Sequence, residues 1–164
     1  MEIIRAPHID NRPAQAYMGI RVISPFKGMS QTIGKISKEM HTWAKQHSTE
    51  MAGPPFVRFH VIDMRGKMDI SYGIPVAMAL EDDGRITADA LVAGRYASLI
   101  YMNGGIAGNR ALIEWVRGQG LEFDRWDTDE GDNFRCRYEA YLTDPKTQPR
   151  KTRWEIEVAI KLAD

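Results

Sequence analysis

"RYASLIYMNGGIAGNRALIEWVRGQG", residues 95–120, changes its period in the middle. Ala97, Leu99 and Tyr101 alternate onto one face, as in a strand. "NGGIAG" then turns the chain, and Ile106, Leu112, Ile113, Trp115 and Val116 recur with helical spacing until Gly118 and Gly120 end the run. The same order stands upstream. "AYMGIRVISPF" reads as a strand that stops at Ser24-Pro25. After it, Met29, Ile33, Ile36, Met40 and Trp43 form a helical stripe spaced four, three, four, three. Each helix precedes two strands. In the first half these are "FVRFHVID" and "MDISYGIPVAMAL", joined at "MRGK" as a hairpin. In the second they are "FRCRYEAYLTD" and "TRWEIEVAIKLA". The expectation is an α+β domain with two strand–helix–strand–strand repeats, an antiparallel sheet and a central ligand cleft. The half-repeats run over about 15–80 and 92–164, within one domain spanning 1–164. "EDDGRITADALVAG" reads as the connector, and "LEFDRWDTDEGDN" as an acidic loop.

The 164 residues hold 22 Lys plus Arg and 22 Asp plus Glu, so the zero formal charge gives no general electrostatic argument for nucleic acid. Cys136 is the single cysteine, which excludes an intrachain disulfide and suits a buried hydrophobe. No run approaches the roughly 20 apolar residues that span a bilayer, and the N-terminal stretch lacks a signal-peptide core. A cytoplasmic protein without membrane contact is expected. His8, His41, His47 and His60 lie on different elements without ligand spacing, so neither a metal nor a cofactor is expected. No G-x-S-x-G elbow is present. "NGGIAG" could bind an anion, but it lacks a P-loop lysine and reads as a tight turn. Trp43 and Trp115 continue helical stripes. Trp154 fits either core or pocket wall. Trp126, among Asp124, Asp127, Asp129 and Glu130, fits a lid over a cation or a ring folded back on the body.

The chemistry concentrates in "CRYEAYLTDP", residues 136–145. Arg137, Glu139 and Tyr141 share one strand face, and glutamate is depleted in strands. On a wet face they form an ordinary surface trio. In a cavity, a desolvated carboxylate has a raised pKa or recruits a cation, and neighbouring rings favour cationic ligands. Such a group could also act as a general acid or base.

Taken together, "YMGIRV", "MDISYGIPV", "LVAGRYASLIYMNGG", "YEAYL" and "IEVAIKL" resemble the GyrI-like small-molecule-binding domain, which also serves as the effector-binding module of AraC-type and multidrug-responsive regulators. The resemblance covers about Tyr17 to Leu162. It implies two strand–helix–strand–strand units around a ligand cleft. It further implies that the strand glutamate, here Glu139, points into that cleft toward cationic aromatic ligands, beside Tyr141. Tyr101 is the third expected ligand-binding residue, as a wall of the cleft. This chain departs from the pattern at Ser71, Ile156, Lys161 and Met102, at "GGI", and at Asn109, which replaces an apolar residue. Arg137 shares the face of Glu139 and would compete with a cationic ligand if the two paired.

The leading expectation is a stand-alone binding module for apolar, cationic or aromatic molecules, with no DNA-binding domain and no direct contact to nucleic acid. Some stand-alone relatives hydrolyse strained electrophilic toxins, a reaction in which Glu139 would be the catalytic acid or base. A third reading is an interaction protein whose partner is gyrase or a DNA-binding regulator.

Overall fold

The computed structural model describes residues 1–164. In chain order the elements are β1 (Glu2–Arg12), β2 (Gln15–Pro25), α1 (Met29–Gln46), β3 (Phe56–Ile62), β4 (Lys67–Pro75), β5 (Ile86–Leu91), β6 (Gly94–Met102), α2 (Gly105–Gly118), β7 (Arg125–Thr128), β8 (Gly131–Phe134), β9 (Arg137–Tyr141) and β10 (Glu155–Lys161). Eight strands lie in the order β1-β6-β10-β9-β3-β4-β2-β5, and the β7–β8 hairpin joins β3 through β8. All pairings are antiparallel.

Two units of β–α–β–β make this order. In β2–α1–β3–β4 the first strand pairs with the last, and the last with the third. In β6–α2–β9–β10 the same rule holds. The two third strands, β3 and β9, then pair with each other at the centre of the sheet. The α+β reading from the alternating periods is therefore the observed fold.

Side chains on one rung of an antiparallel sheet share a face. One such rung runs Leu99, Val158, Glu139, Val57, Tyr72, Ile20 across six strands. Both helices cover this face. Ile36, Met40 and Trp43 of α1 pack with Met18, Ile20, Ile70 and Tyr72. Leu112 and Val116 of α2 pack with Leu99, Tyr101, Val158 and Ile160. The opposite face carries a third cluster around Tyr17, Phe56, Tyr96 and Tyr138. Each fully buried large apolar side chain contributes about 1.5–3 kcal/mol, so the helix-covered face supplies most of the cohesion.

The glycines of "NGGIAG" have separate tasks. Gly104 holds a φ of 122° at the turn into α2. Gly108 lies against the Tyr101 ring, where a Cβ would come within 2.6 Å of ring carbons. A bare backbone at that position lets α2 seat on the sheet.

Three segments differ from the sequence reading. Residues 2–12, outside both expected half-repeats, form β1 on the edge beside β6. The connector holds β5, which pairs with β2. The acidic loop holds β7 and β8, where Arg125 donates to Asp127 at 2.6 Å and to Asp132 at 2.5 Å. All three owe their order to a partner strand or an ion pair and carry little apolar periodicity of their own. The β1 edge is tied down by charge: Arg5 and Arg12 both donate to Glu157, at 2.6 and 2.9 Å, and Arg12 also donates to the Tyr138 hydroxyl at 2.7 Å. Trp126 meets an internal cation, the Arg135 guanidinium, 4.8 Å from its ring centre. No helix is long and apolar enough to cross a membrane.

Candidate functional site

Burial along β9 draws the site. Tyr138 and Ala140, on the face away from the helices, are buried. Arg137, Glu139 and Tyr141, on the helix-covered face, are only half-buried, and so is Ile156 beside them. The strands to either side lie beneath α1 and α2, with Val57, Tyr72, Leu99, Tyr101 and Val158 sealed. The β9 face between the two helices is therefore the least covered strip on this side of the sheet, a shallow trough in burial between sealed neighbours. Period two alone puts the three β9 side chains into it.

Glu139 sits mid-trough between two aliphatic neighbours, Val158 on β10 and Val57 on β3. Burial pushes its carboxyl above the ordinary range, against hydrogen bonds from Asn109 and Tyr101 and the charge of Arg137. The Asn109 amide on α2 donates to Glu139 Oε1 at 2.6 Å and to the Gly105 carbonyl at 2.8 Å. Its Oδ1 accepts from Arg137 Nη2 at 2.7 Å. The direct ion pair between Arg137 and Glu139 that their shared face allowed does not form. Asn109 stands between them and bonds to both.

The three sequence-predicted residues converge. Tyr101, Ile156 and Tyr141 occupy one rung, next to that of Glu139. Tyr101 is sealed at 2% exposure, so its ring packs under α2 and only its hydroxyl faces the carboxylate. It is a packing residue at the edge of the trough more than an open wall. Tyr141 is half-buried and meets Trp154 edge to face, with centroids 6.1 Å apart. Burial raises the hydroxyl pKa of both tyrosines, and the Glu139 charge adds to it, so both remain neutral donors. Sequence reasoning missed two members. Tyr72, on the Glu139 rung, shares a 2.6 Å hydrogen bond with His41 Nε2 of α1. Asn109 stood out only as a polar residue in an apolar place, and that was the available signal. A separate groove of about 620 Å³ at the C-terminal end of α1, lined by Trp43, His47, Met78 and Asp83 among others, contains none of these residues.

No family model matches the chain, and no curated protein matches it by sequence. Solved structures match it over nearly its whole length. The C-terminal domain of EcmrR superposes with a TM-score of 0.71 at 17% identity, covering 99% of each chain. A protein described as a hydrolase from Listeria innocua gives 0.63 at 13% identity, covering 97% of this chain and 92% of that one. SAV2435 bound to tetraphenylphosphonium gives 0.60 at 9% identity, covering 96% and 94%. The chain has the GyrI-like fold. Within that fold Glu139 lies on β9, the strand of the second unit that pairs with β3 of the first, and the face it occupies is flanked by one helix from each unit.

Proposed function

We propose that the protein binds a flat, apolar aromatic molecule in the trough along β9, with Glu139 anchoring a cationic or N–H-bearing group. The observation that carries this reading is the placement of Glu139 between Val57 and Val158 on the half-buried face of β9, two residues from the Tyr141–Trp154 pair, where burial pushes its carboxyl up. A carboxylate placed there costs stability unless a ligand compensates it. Aromatic edges and faces supply contact area and favour positively polarised groups. The tetraphenylphosphonium complex of a protein with the same fold supports a small-molecule role. The test is calorimetric titration with a panel of aromatic cations and neutral aromatic molecules, in parallel with Glu139→Gln. Saturable binding that weakens at least tenfold in the variant is the expected result. No binding by any member of the panel refutes the reading.

A second reading is hydrolysis of a strained electrophile, with Glu139 as general acid and the Tyr101 hydroxyl beside it. Burial shifts the Glu139 carboxyl upward, in the direction a general acid needs. Mass spectrometry of the recovered ligand separates the two: conversion by the wild type and none by Glu139→Gln marks an enzyme.

A further inference from the structure

Arg137 is the anomaly of the trough. Its guanidinium has five N–H donors, and one hydrogen bond to protein is formed, from Nη2 to Asn109. The other deeply placed arginines, Arg12 and Arg58, each have a carboxylate within 4 Å: Glu157 at 2.9 Å and Asp89 at 3.6 Å. Arg137 has none. Its Nε and Nη1 take no partner, yet they are not sealed, since the sealed unpartnered polar atoms are Arg5 Nε and Arg58 Nε. The guanidinium is held in place by stacking on Phe134, 4.6 Å from the ring centre. It shares the open side of β9 with Glu139 and Tyr141.

The group that now satisfies this pair shows what chemistry fits it. Asn109 presents a carbonyl oxygen to Arg137 and an N–H to Glu139. We infer that the trough selects aromatic molecules carrying an adjacent acceptor and N–H donor, such as a carboxamide or lactam edge, which replace the Asn109 amide between Arg137 and Glu139, and that it selects against permanent cations without N–H groups. A lactam oxygen accepts from Arg137 while its N–H donates to Glu139, so both polar groups stay paired on the bound ligand. A tetraaryl cation offers Arg137 no acceptor and places a second positive charge beside it in a poorly hydrated site. Asn109 is then an internal competitor, and its displacement is part of the binding free energy.

This inference rests on the proposed ligand trough at Glu139. The test is titration of the full chain with phenanthridinone, a flat aromatic lactam, and with tetraphenylphosphonium. The proteins are the wild type, Arg137→Met, Arg137→Lys, Asn109→Ala and Glu139→Gln, each checked for a cooperative melt. The expected result is wild-type binding of the lactam at least tenfold tighter than the phosphonium. Arg137→Met erases or reverses that preference, Arg137→Lys retains part of it, and Asn109→Ala tightens binding of the lactam. Arg137→Lys keeps the buried charge, so it preserves the test if the methionine variant fails to fold. Phosphonium binding that equals lactam binding, depends on Glu139 and ignores Arg137 overturns the inference and leaves the trough standing. An unchanged lactam affinity in Asn109→Ala also overturns it. Failure of both probes with every protein overturns the trough as well.

Discussion

Asn109 donates to Glu139 across 2.6 Å, joining the first turns of α2 to the central strand β9 over 30 residues of chain. The bond closes the trough from the side of α2. It also relieves only part of the desolvation of the carboxylate, whose pKa remains raised.

Glu139→Gln should therefore stabilise the unliganded protein at neutral pH. A raised carboxyl binds its proton more tightly in the folded state, so ionisation penalises folding. The penalty is absent below the ordinary carboxylate pKa of about 4.3 and complete above the raised folded value. Thermal melts from pH 4 to 8 should show the variant melting above the wild type at the upper end, with the gap closing toward pH 4. A variant that melts lower at pH 8 would contradict this account.

Gly108→Ala tests how α2 is seated. The new methyl would overlap the Tyr101 ring, with its Cβ 2.6 Å from ring carbons. Overpacking of this kind costs about 1–3 kcal/mol, against a helix-propensity gain of about 1 kcal/mol. Net destabilisation is expected in denaturant melts. Because Asn109 is the next residue, a displaced α2 also weakens its bond to Glu139, which should appear as altered ligand affinity. Gly118→Ala, whose Cβ would meet nothing within 4 Å, is the control.

His60 sets an acid limit on stability. It is buried and hydrogen-bonded to the Ser71 hydroxyl at 2.8 Å. Burial, with Arg58 and Arg21, lowers its pKa to about 4, against the opposing charges of Asp69 and Asp89. A base with a depressed pKa contributes stability that is complete above its ordinary value of about 6.5. That stability is lost as pH falls toward 4, by at most about 1.4 kcal/mol per pH unit for one proton. His60→Gln should flatten the decline between pH 6.5 and 4. An equally steep profile in the variant would rule out His60 as its source.

Glu157 anchors the β1 edge. Burial works against its ionisation, yet hydrogen bonds from Arg12 and Arg5 prevail and hold its carboxyl below the usual range. Glu157→Ala leaves both guanidinium groups beside the sealed Ser98 hydroxyl without their shared carboxylate. Removing one member of a buried ion pair costs about 3–5 kcal/mol, and solvent at the part-exposed Arg5 brings the cost here below that range. Amide hydrogen exchange should localise the loss, with β1 deprotected ahead of the β3–β9 centre. Uniform deprotection across the sheet would mean that the network does not act on β1 alone.

The sequence by itself determined the two helices, the central strands and the face of β9 that carries Arg137, Glu139 and Tyr141. Those features follow from apolar periods of 3.6 and 2, which each segment carries without reference to the rest. It did not show β1, β5 or the β7–β8 hairpin, whose order comes from a neighbouring strand or from ion pairs. Nor could it decide the state of Glu139. Periodicity states which face of an element is apolar, but it does not state which polar groups meet across elements. Arg12 and Glu157 are 145 residues apart in the chain, and Asn109 and Glu139 are 30 apart. Tertiary structure alone decided that Tyr101 is sealed beneath α2 and that Asn109 separates Arg137 from Glu139. Hydrogen bonds and ion pairs of this kind depend on distances of a few tenths of an ångström, and those distances are set only when the helices settle on the sheet.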